Sequence, residues 1–122
     1  MEKKKILLVD DEPAFVEMVK LRLEMNNYQV VTAYDGKEAL EKVEQEMPNL
    51  IILDVLMPKL NGYDCCNILK SNPKYKDIPV LFLTVKAGDE DNALVKKCGA
   101  EDFIVKPFEP QNLLARIKEL TS

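Results

Sequence analysis

The sequence predicts a single domain of the doubly wound α/β class, in which helices cover both faces of a five-stranded parallel sheet. Five short apolar runs alternate with five stretches of helical periodicity along the 122 residues. Alternating strands and helices form parallel sheets with right-handed crossovers. A barrel of eight strand–helix units needs roughly 200 residues or more, so an open sheet fits this length better. We therefore expect residues 1–122 to form one domain.

The predicted strands are short runs of branched apolar side chains, which are typical of strands buried on both faces of a parallel sheet. In the second strand, Val30 and Val31 supply a β-branched centre. The five strands are expected at Lys5–Val9, Gln29–Ala33, Leu50–Asp54, Pro79–Thr84 and around Asp102–Val105.

The first two helices are predicted from their ends and from their apolar stripes. Pro13 suits the first turn of a helix, whereas Asp35 and Glu38 have the spacing of a capping box. Pro48 is expected to end the second helix. The apolar stripes comprise Phe15, Val19 and Leu23 in the first helix and Ala39, Leu40, Val43 and Met47 in the second.

The other three helices are marked mainly by glycine and proline. The third is expected near Tyr63–Lys70, after a loop that contains Gly62. The fourth is expected to begin at Gly88 and to end at Gly99, a residue type that favours the left-handed conformation after a helix. The last begins at Pro110, and its inward side chains are predicted to be Leu113, Leu114, Ile117 and Leu120.

Polar side chains follow four of the strands at their carboxyl ends. Asp10 and Asp11 follow the first strand, Asp54 ends the third, Thr84 ends the fourth, and Lys106 follows the fifth. The carboxyl ends of parallel strands meet at one edge of the sheet, where ligands of doubly wound proteins bind. The sequence therefore predicts a cluster of three acids, a hydroxyl and an amine at this edge.

Such a cluster has a definite chemistry. Carboxylates that lie together repel one another, so that either a pKa rises or a cation binds. Hard oxygen ligands suit Mg²⁺, and an Asp carboxylate beside it is a competent nucleophile toward phosphorus. Lys106 and Thr84 would stabilise the transferred group. The structural alternative, a salt-bridge knot around Lys106, does not explain why three acids face one base.

Composition excludes several other classes of function. The formal net charge of −4 argues against direct binding of nucleic acid or acidic membranes. The chain has no histidine, which excludes Cys/His zinc sites and His-based catalytic dyads. No apolar run is long enough to span a membrane or to act as a signal peptide. The three cysteines, of which Cys65 and Cys66 are adjacent, suggest reduced thiols in a cytoplasmic protein, with redox sensing as the alternative.

The chain closely resembles the receiver domain of two-component response regulators over essentially its whole length. Each matching motif is short, but together they occur in order and at successive strand ends. The motifs are Leu8–Glu12, Asp54–Pro58 with Gly62, Leu83–Thr84, Gly99–Phe103 and Lys106–Phe108. The resemblance implies a flavodoxin-like sheet with strand order 2-1-3-4-5.

The resemblance also implies roles for the acids. Asp54 would accept a phosphoryl group from a phosphohistidine on a sensor histidine kinase or a histidine phosphotransfer protein. Asp10 and Asp11 would hold the Mg²⁺ cofactor together with Asp54, and the backbone carbonyl of Leu56 would complete the protein ligands. The domain would be no enzyme toward a separate substrate, because it would catalyse only its own phosphorylation and slow autodephosphorylation.

The remaining implied roles concern the response to phosphorylation. Lys106 would pair with the phosphoryl group, and the Lys106–Pro107 peptide would be cis. Thr84 and Phe103 match the family's switch pair, so that Thr84 moves toward the phosphoryl group and Phe103 rotates inward behind it. The face formed by the fourth helix, the fifth strand and the last helix would then regulate an unknown output partner or domain. Plain core packing is the alternative for Phe103, and the sequence leaves open whether activation produces a homodimer.

Three rival functions can be compared with that of a phosphorylated receiver. A hydrolase of the haloacid-dehalogenase type would need a second acid where Leu56 stands. A flavin carrier would need a phosphate-binding loop in place of the acids at Asp10–Glu12. A receiver-like interaction module that works without phosphorylation is the third rival.

Val85 stands where the family usually has a small residue and would narrow the path to Asp54, and Leu56 has no polar group to hold an attacking water. These departures from the family predict a long-lived acyl phosphate. The alternative is that Lys86 contacts the phosphoryl group or an acid and acts the other way.

Overall fold

The computed structural model of the chain describes residues 3–55, 60–84 and 89–122. Strands and helices alternate throughout, as predicted. The strands are β1 (Lys5–Val9), β2 (Gln29–Ala33), β3 (Leu50–Asp54), β4 (Val80–Thr84) and β5 (Asp102–Val105). The helices are α1 (Pro13–Glu24), α2 (Gly36–Glu46), α3 (Gly62–Lys70), α4 (Asp89–Cys98) and α5 (Pro110–Thr121). Gly88, the predicted start of α4, lies outside the described residues.

The five strands form one parallel sheet in the order β2-β1-β3-β4-β5. This order confirms the fold class and the topology that the resemblance implied. The register aligns the carboxyl ends of the strands, since Val9 lies opposite Leu53, Asp54 opposite Leu83, and Thr84 opposite Val105. The polar residues at these ends are therefore delivered to one edge of the sheet.

The core consists of two layers, one on each face of the sheet. Successive strand residues point to opposite faces, so a continuous apolar run supplies both layers. The first layer lies under α2, α3 and α4 and includes Leu7, Val9, Ile51, Leu53 and Phe82. The second lies under α1 and α5 and includes Ile6, Leu8, Ile52, Leu81 and Leu83. All ten of these strand side chains are fully buried.

Two helix ends refine the sequence predictions. The Asp35 side chain accepts a hydrogen bond from the Glu38 N–H at 2.8 Å, as in the predicted capping box. The Glu38 carboxylate, however, accepts from the N–H of Tyr34, at 2.7 Å. Met47 is not part of the inward stripe, because it is 45% exposed and adopts a left-handed conformation with φ of 44°. The following Pro48 disfavours the helical conformation at Met47 and turns this side chain outward.

The inward stripes of α1 and α5 also differ in part from the prediction. In α1 the buried residues are Val16, Val19 and Leu23. Phe15 is only half-buried, and it lies toward the carboxyl edge of the sheet beside Lys106. In α5, Leu113 and Ile117 are buried, whereas Leu114 and Leu120 are half-buried at the margin of the core. The stripes were placed correctly, but their widths could not be judged from periodicity.

All three cysteines are free and buried in the layer beneath α3 and α4. Burial raises the pKa of Cys65 to about 12, and burial, with a smaller contribution from Cys98, raises that of Cys66 further. The Cys66 thiol donates to the Cys98 carbonyl at 3.4 Å. Because the thiolate is the reactive form, this setting favours the prediction of reduced structural thiols over a redox sensor.

No helix in the described part of the chain is long and apolar enough to cross a membrane.

Gly62 allows α3 to begin directly against the end of β3. A Cβ at this position would lie 2.3 Å from the Asp54 carbonyl oxygen and 3.0 Å from the Phe82 ring. The Gly62 N–H also donates to the Val55 carbonyl at 2.8 Å. A side chain at this position would therefore displace the backbone that carries Asp54.

Gly62→Ala is expected to lower the free energy of unfolding by about 2 kcal/mol, because the added methyl group overpacks a backbone contact. Chemical denaturation measures this change. Asn67→Ala, on the exposed face of the same helix, is the matched control and should change the free energy by less than ~0.5 kcal/mol. Equal stabilities of Gly62→Ala and the parent protein would contradict the close approach.

Candidate functional site

The predicted polar residues converge at the carboxyl edge of the sheet. Asp10 and Thr84 are buried, with exposed fractions of 1% and 5%, and the side chain of Asp54 is 13% exposed. Asp11 is exposed, and Lys106 is half-buried. The structure thus places all five residues at the edge where the sequence predicted them.

The buried carboxylate of Asp10 is stabilised from two sides. One oxygen lies 2.9 Å from the Lys106 ammonium, and the other accepts the N–H of Glu12 at 3.0 Å. Both contacts compensate for the loss of water around this charge. Asp54 is farther from the lysine, with its Oδ1 at 3.7 Å from Lys106 Nζ. In this structure Lys106 is therefore hydrogen-bonded to Asp10 and attracted to Asp54 only through space.

Among the described residues, one group of acids has the geometry of a metal site. Asp10, Asp11 and Asp54 each offer a carboxylate oxygen, and these oxygens lie within 4.8 Å of one another. They are hard ligands of the kind that Mg²⁺ prefers. In the described part of the chain, Lys106 is the one cationic side chain within ion-pair distance of these acids. The acids therefore fit a divalent cation. Leu56, whose carbonyl was expected to add a ligand, lies outside the described residues.

The electrostatics of the group are visible at Asp54. Burial, together with the negative charges of Asp10 and Asp11, raises the pKa of its carboxyl group from 3.8 to about 6, although Lys106 opposes the shift. The raised pKa means that the metal-free site holds its third negative charge at a cost in free energy. Any cation that binds here relieves that cost.

Thr84 ends β4, and Phe103 lies in the adjacent strand β5, opposite Phe82. The Thr84 carbonyl accepts the N–H of Lys106 at 2.6 Å, so the backbone of the hydroxyl residue holds that of the lysine. Phe103 is half-buried and packs at the margin of the core layer beneath α3 and α4. It also lines a cavity of about 600 Å³ between β5 and α5, together with Phe108, Asn112 and Arg116. The ring therefore lies between the core and a surface groove.

The segment after β5 begins with a cis peptide between Lys106 and Pro107, as the resemblance implied. Sequence reasoning did not identify the aromatic surroundings of the Lys106 side chain. The Lys106 ammonium lies 4.3 Å above the ring of Phe15 from α1. Phe15 in turn meets Phe108 edge to face, with ring centroids 6.2 Å apart. Periodicity assigned Phe15 to the core and carried no signal for a contact with a lysine so distant in the chain.

Comparison with known proteins decides the family. Residues 6–118 match the response regulator receiver domain. The chain belongs to this family. It is 44% identical over 117 residues to the alkaline phosphatase synthesis transcriptional regulatory protein PhoP of Bacillus subtilis, covering 96% of the chain and 48% of that protein. The chain thus spans about half the length of the curated relatives it matches.

Solved receiver structures have the same fold. Chemotaxis protein CheY4 of Vibrio cholerae superposes with a TM-score of 0.92 at 36% identity, covering 97% of this receiver and 98% of that chain. The receiver domain of the sensor histidine kinase PA1611 of Pseudomonas aeruginosa superposes with a TM-score of 0.90 at 25% identity, with 98% of both chains covered. In that protein a magnesium ion is coordinated in the active-site cleft.

In metal-free buffer, Asp54→Asn is expected to stabilise the receiver at neutral pH, by about 2 kcal/mol or less. The folded protein retains the Asp54 proton up to about pH 6, whereas the ordinary pKa is 3.8. The stability of the parent should therefore fall between these two values as pH rises, and that of the variant should not show this component.

Unfolding by urea across this pH range, in the presence of a chelator, measures the difference between the two proteins. The difference should be small at pH 4 and reach its full value above pH 6. A difference that does not change with pH would contradict a raised Asp54 pKa.

Proposed function

We propose that this receiver is a phosphorylation-controlled switch whose acceptor is Asp54. The phosphoryl group would come from a phosphohistidine on a sensor histidine kinase or a histidine phosphotransfer protein. The observation that carries the proposal is the convergence of Asp10, Asp11, Asp54 and Lys106, with three carboxylate oxygens within 4.8 Å and the ammonium beside them. Membership of the receiver family supports the same assignment.

The chemistry is a transfer between two nucleophiles. A carboxylate oxygen of Asp54 attacks the phosphorus, the bond between phosphorus and the partner's imidazole nitrogen breaks, and an acyl phosphate forms. Asp10, Asp11 and Asp54, with the carbonyl of Leu56, would hold Mg²⁺. When bound, this cation neutralises charge on the carboxylates and on the phosphoryl oxygens. The magnesium ion in the cleft of the Pseudomonas receiver supports this assignment.

Lys106 and Thr84 would respond to the new charge. A phosphoryl group adds roughly −1.5 to −2 elementary charges at neutral pH. Lys106 Nζ already lies 3.7 Å from Asp54, so a small movement away from Asp10 would bring it to a phosphoryl oxygen. The Thr84 side chain is at the end of the adjacent strand and would donate its hydroxyl to another oxygen. Both movements strengthen charge-assisted hydrogen bonds.

The signal would then pass to the face formed by α4, β5 and α5. Movement of Thr84 leaves space that the ring of Phe103 can enter from its half-buried position. Entry of the ring would alter the cavity that it shares with Arg116 and Asn112 on α5. Phosphorylation would act by shifting the populations of two pre-existing conformations.

The output of this switch is proposed from the relatives. PhoP is named as a transcriptional regulatory protein, and the chain matches only about half of it. We infer that the α4–β5–α5 face controls a transcriptional output through a further domain or a separate partner. The receiver itself would act on no separate substrate and would catalyse only its own phosphorylation and slow dephosphorylation. An interaction module independent of phosphorylation is the alternative, and it gives no role to the acids.

Incubation with acetyl phosphate and Mg²⁺ is expected to add one phosphoryl group, because Asp54 lies beside Lys106 and, unlike the buried Asp10, is partly exposed. Intact-mass spectrometry measures the product. Asp54→Asn should abolish the addition, and Asp11→Asn should slow it by at least about tenfold, the equivalent of ~1.4 kcal/mol.

Asp64→Asn provides a matched control, because Asp64 is an exposed acid on α3 that does not belong to the group of Asp10, Asp11 and Asp54. Its phosphorylation rate should equal that of the parent. Phosphorylation of Asp54→Asn at the parent rate, or an equal rate without a divalent cation, would refute the proposed site. Absence of any modification would favour the interaction module.

Beryllofluoride is a mimic of the phosphoryl group. In Phe103→Ala it is expected to shift backbone amide NMR signals only at the carboxyl edge of the sheet. In the parent protein, backbone amide NMR signals of β5 and α5 should also shift, since the proposed entry of the Phe103 ring would pass the movement of Thr84 to this face. Tyr75→Ala is the matched control, because Tyr75 borders the same core layer in the loop before β4. Undiminished shifts in α5 of Phe103→Ala would show that the ring serves only in packing.

A further inference from the structure

We propose that Phe15 is a positioning residue that holds the ammonium group of Lys106 over the face of its ring. The observation is the cation–π contact of 4.3 Å between Lys106 Nζ and the ring centroid. An aromatic ring carries negative charge on its face, and a cation within about 6 Å of the centroid is attracted to it. The proposal rests on the proposed function, because it concerns how the lysine reaches the phosphoryl group.

The ring completes the surroundings of the ammonium. Two sides of Lys106 Nζ face carboxylates, with Asp10 at 2.9 Å and Asp54 at 3.7 Å. The ring of Phe15 lies on a further side, and 20% of the lysine side chain remains exposed. A half-buried ammonium has few water molecules around it, and a cation–π contact is stronger where water is scarce.

The ring is itself held in place. Phe15 extends from the first turn of α1, at the margin of the core layer beneath α1 and α5. Phe108 packs against it edge to face, with an angle of 84° between the ring planes. Phe108 follows Lys106 closely, so the two rings connect α1 to the segment that carries the lysine. This geometry is the favoured one for a pair of aromatic rings.

The cation–π contact between Lys106 and Phe15 does not depend on the charge of the acids, whereas the contacts of Lys106 with Asp10 and Asp54 do. The attraction of Lys106 to Asp10 and to Asp54 changes when either carboxylate binds a cation or becomes modified. The attraction to an uncharged ring does not. Phe15 therefore keeps the flexible lysine close to Asp54 in every state of the acids and reduces the entropy lost when the lysine binds a phosphoryl oxygen.

The contact itself can be tested by NMR without any reaction. The ring current of Phe15 should shift the ε-methylene protons of Lys106 upfield from their usual position. Phe15→Leu should abolish this shift, and Phe15→Tyr should preserve it. Unshifted protons in the parent protein would overturn the proposed contact whether or not the protein is phosphorylated.

The functional role can be tested with a graded series of rings. Phenylalanine with one, two or three ring fluorines at position 15 keeps nearly the same shape but progressively loses negative charge on its face. The rate of phosphorylation of the full chain by acetyl phosphate should fall stepwise, by about fivefold in total, as expected for a half-buried cation–π contact. The Phe15→Tyr variant should retain the parent rate, and Phe15→Leu should be slow.

The same fluorinated series at Phe82 is the matched control. Phe82 is a fully buried ring in the opposite core layer, so its series reports packing alone. A stepwise fall at position 15 with no such trend at position 82 supports the proposal. Equal trends at both positions, or no trend at position 15 while the parent is phosphorylated on Asp54, would overturn it. A parent that is not phosphorylated at all would instead refute the proposed function.

Discussion

The central constraint in this protein is an imbalance of charge at one edge of the sheet, where three carboxylates face a single ammonium among the residues that the structure describes. Lys106 lies closest to Asp10, at 2.9 Å, whereas burial and the negative charges of Asp10 and Asp11 raise the pKa of Asp54 to about 6. A site with unmet negative charge is poised to take up a cation and then to accept a reagent that brings further oxygens. The rest of the molecule can be understood as the means of holding these charges together.

The sheet brings these charges together through the parallel pairing and the register of its strands. Buried apolar runs pair in parallel, and their register brings the ends of β1, β3, β4 and β5 level. The positions with an unusual backbone requirement lie just beyond the strands. They are Gly62, where a Cβ would not fit, and the cis peptide between Lys106 and Pro107. Apolar burial supplies the stability, while a few backbone positions set the alignment of the polar groups.

The fold and the membership of the polar cluster could be predicted because both depend on patterns that are local in sequence. Branched apolar runs identify strands, and a polar residue after each run is delivered to a known edge. The contact between Phe15 and Lys106 could not be predicted, since it depends on how α1 and the end of β5 pack together in space. Met47 was misassigned because the helical pattern continued through a residue whose backbone is governed by Pro48.

The three buried thiols give this receiver a built-in reporter of local opening. Cys65 and Cys66 lie on α3, and Cys98 lies at the end of α4, all within one core layer. A water-soluble alkylating reagent can reach them only while these helices separate from the sheet, so labelling rates measure the free energy of that separation. The same measurement with and without a ligand at the acceptor site would show whether binding at the edge of the sheet changes the free energy of separating these helices from it.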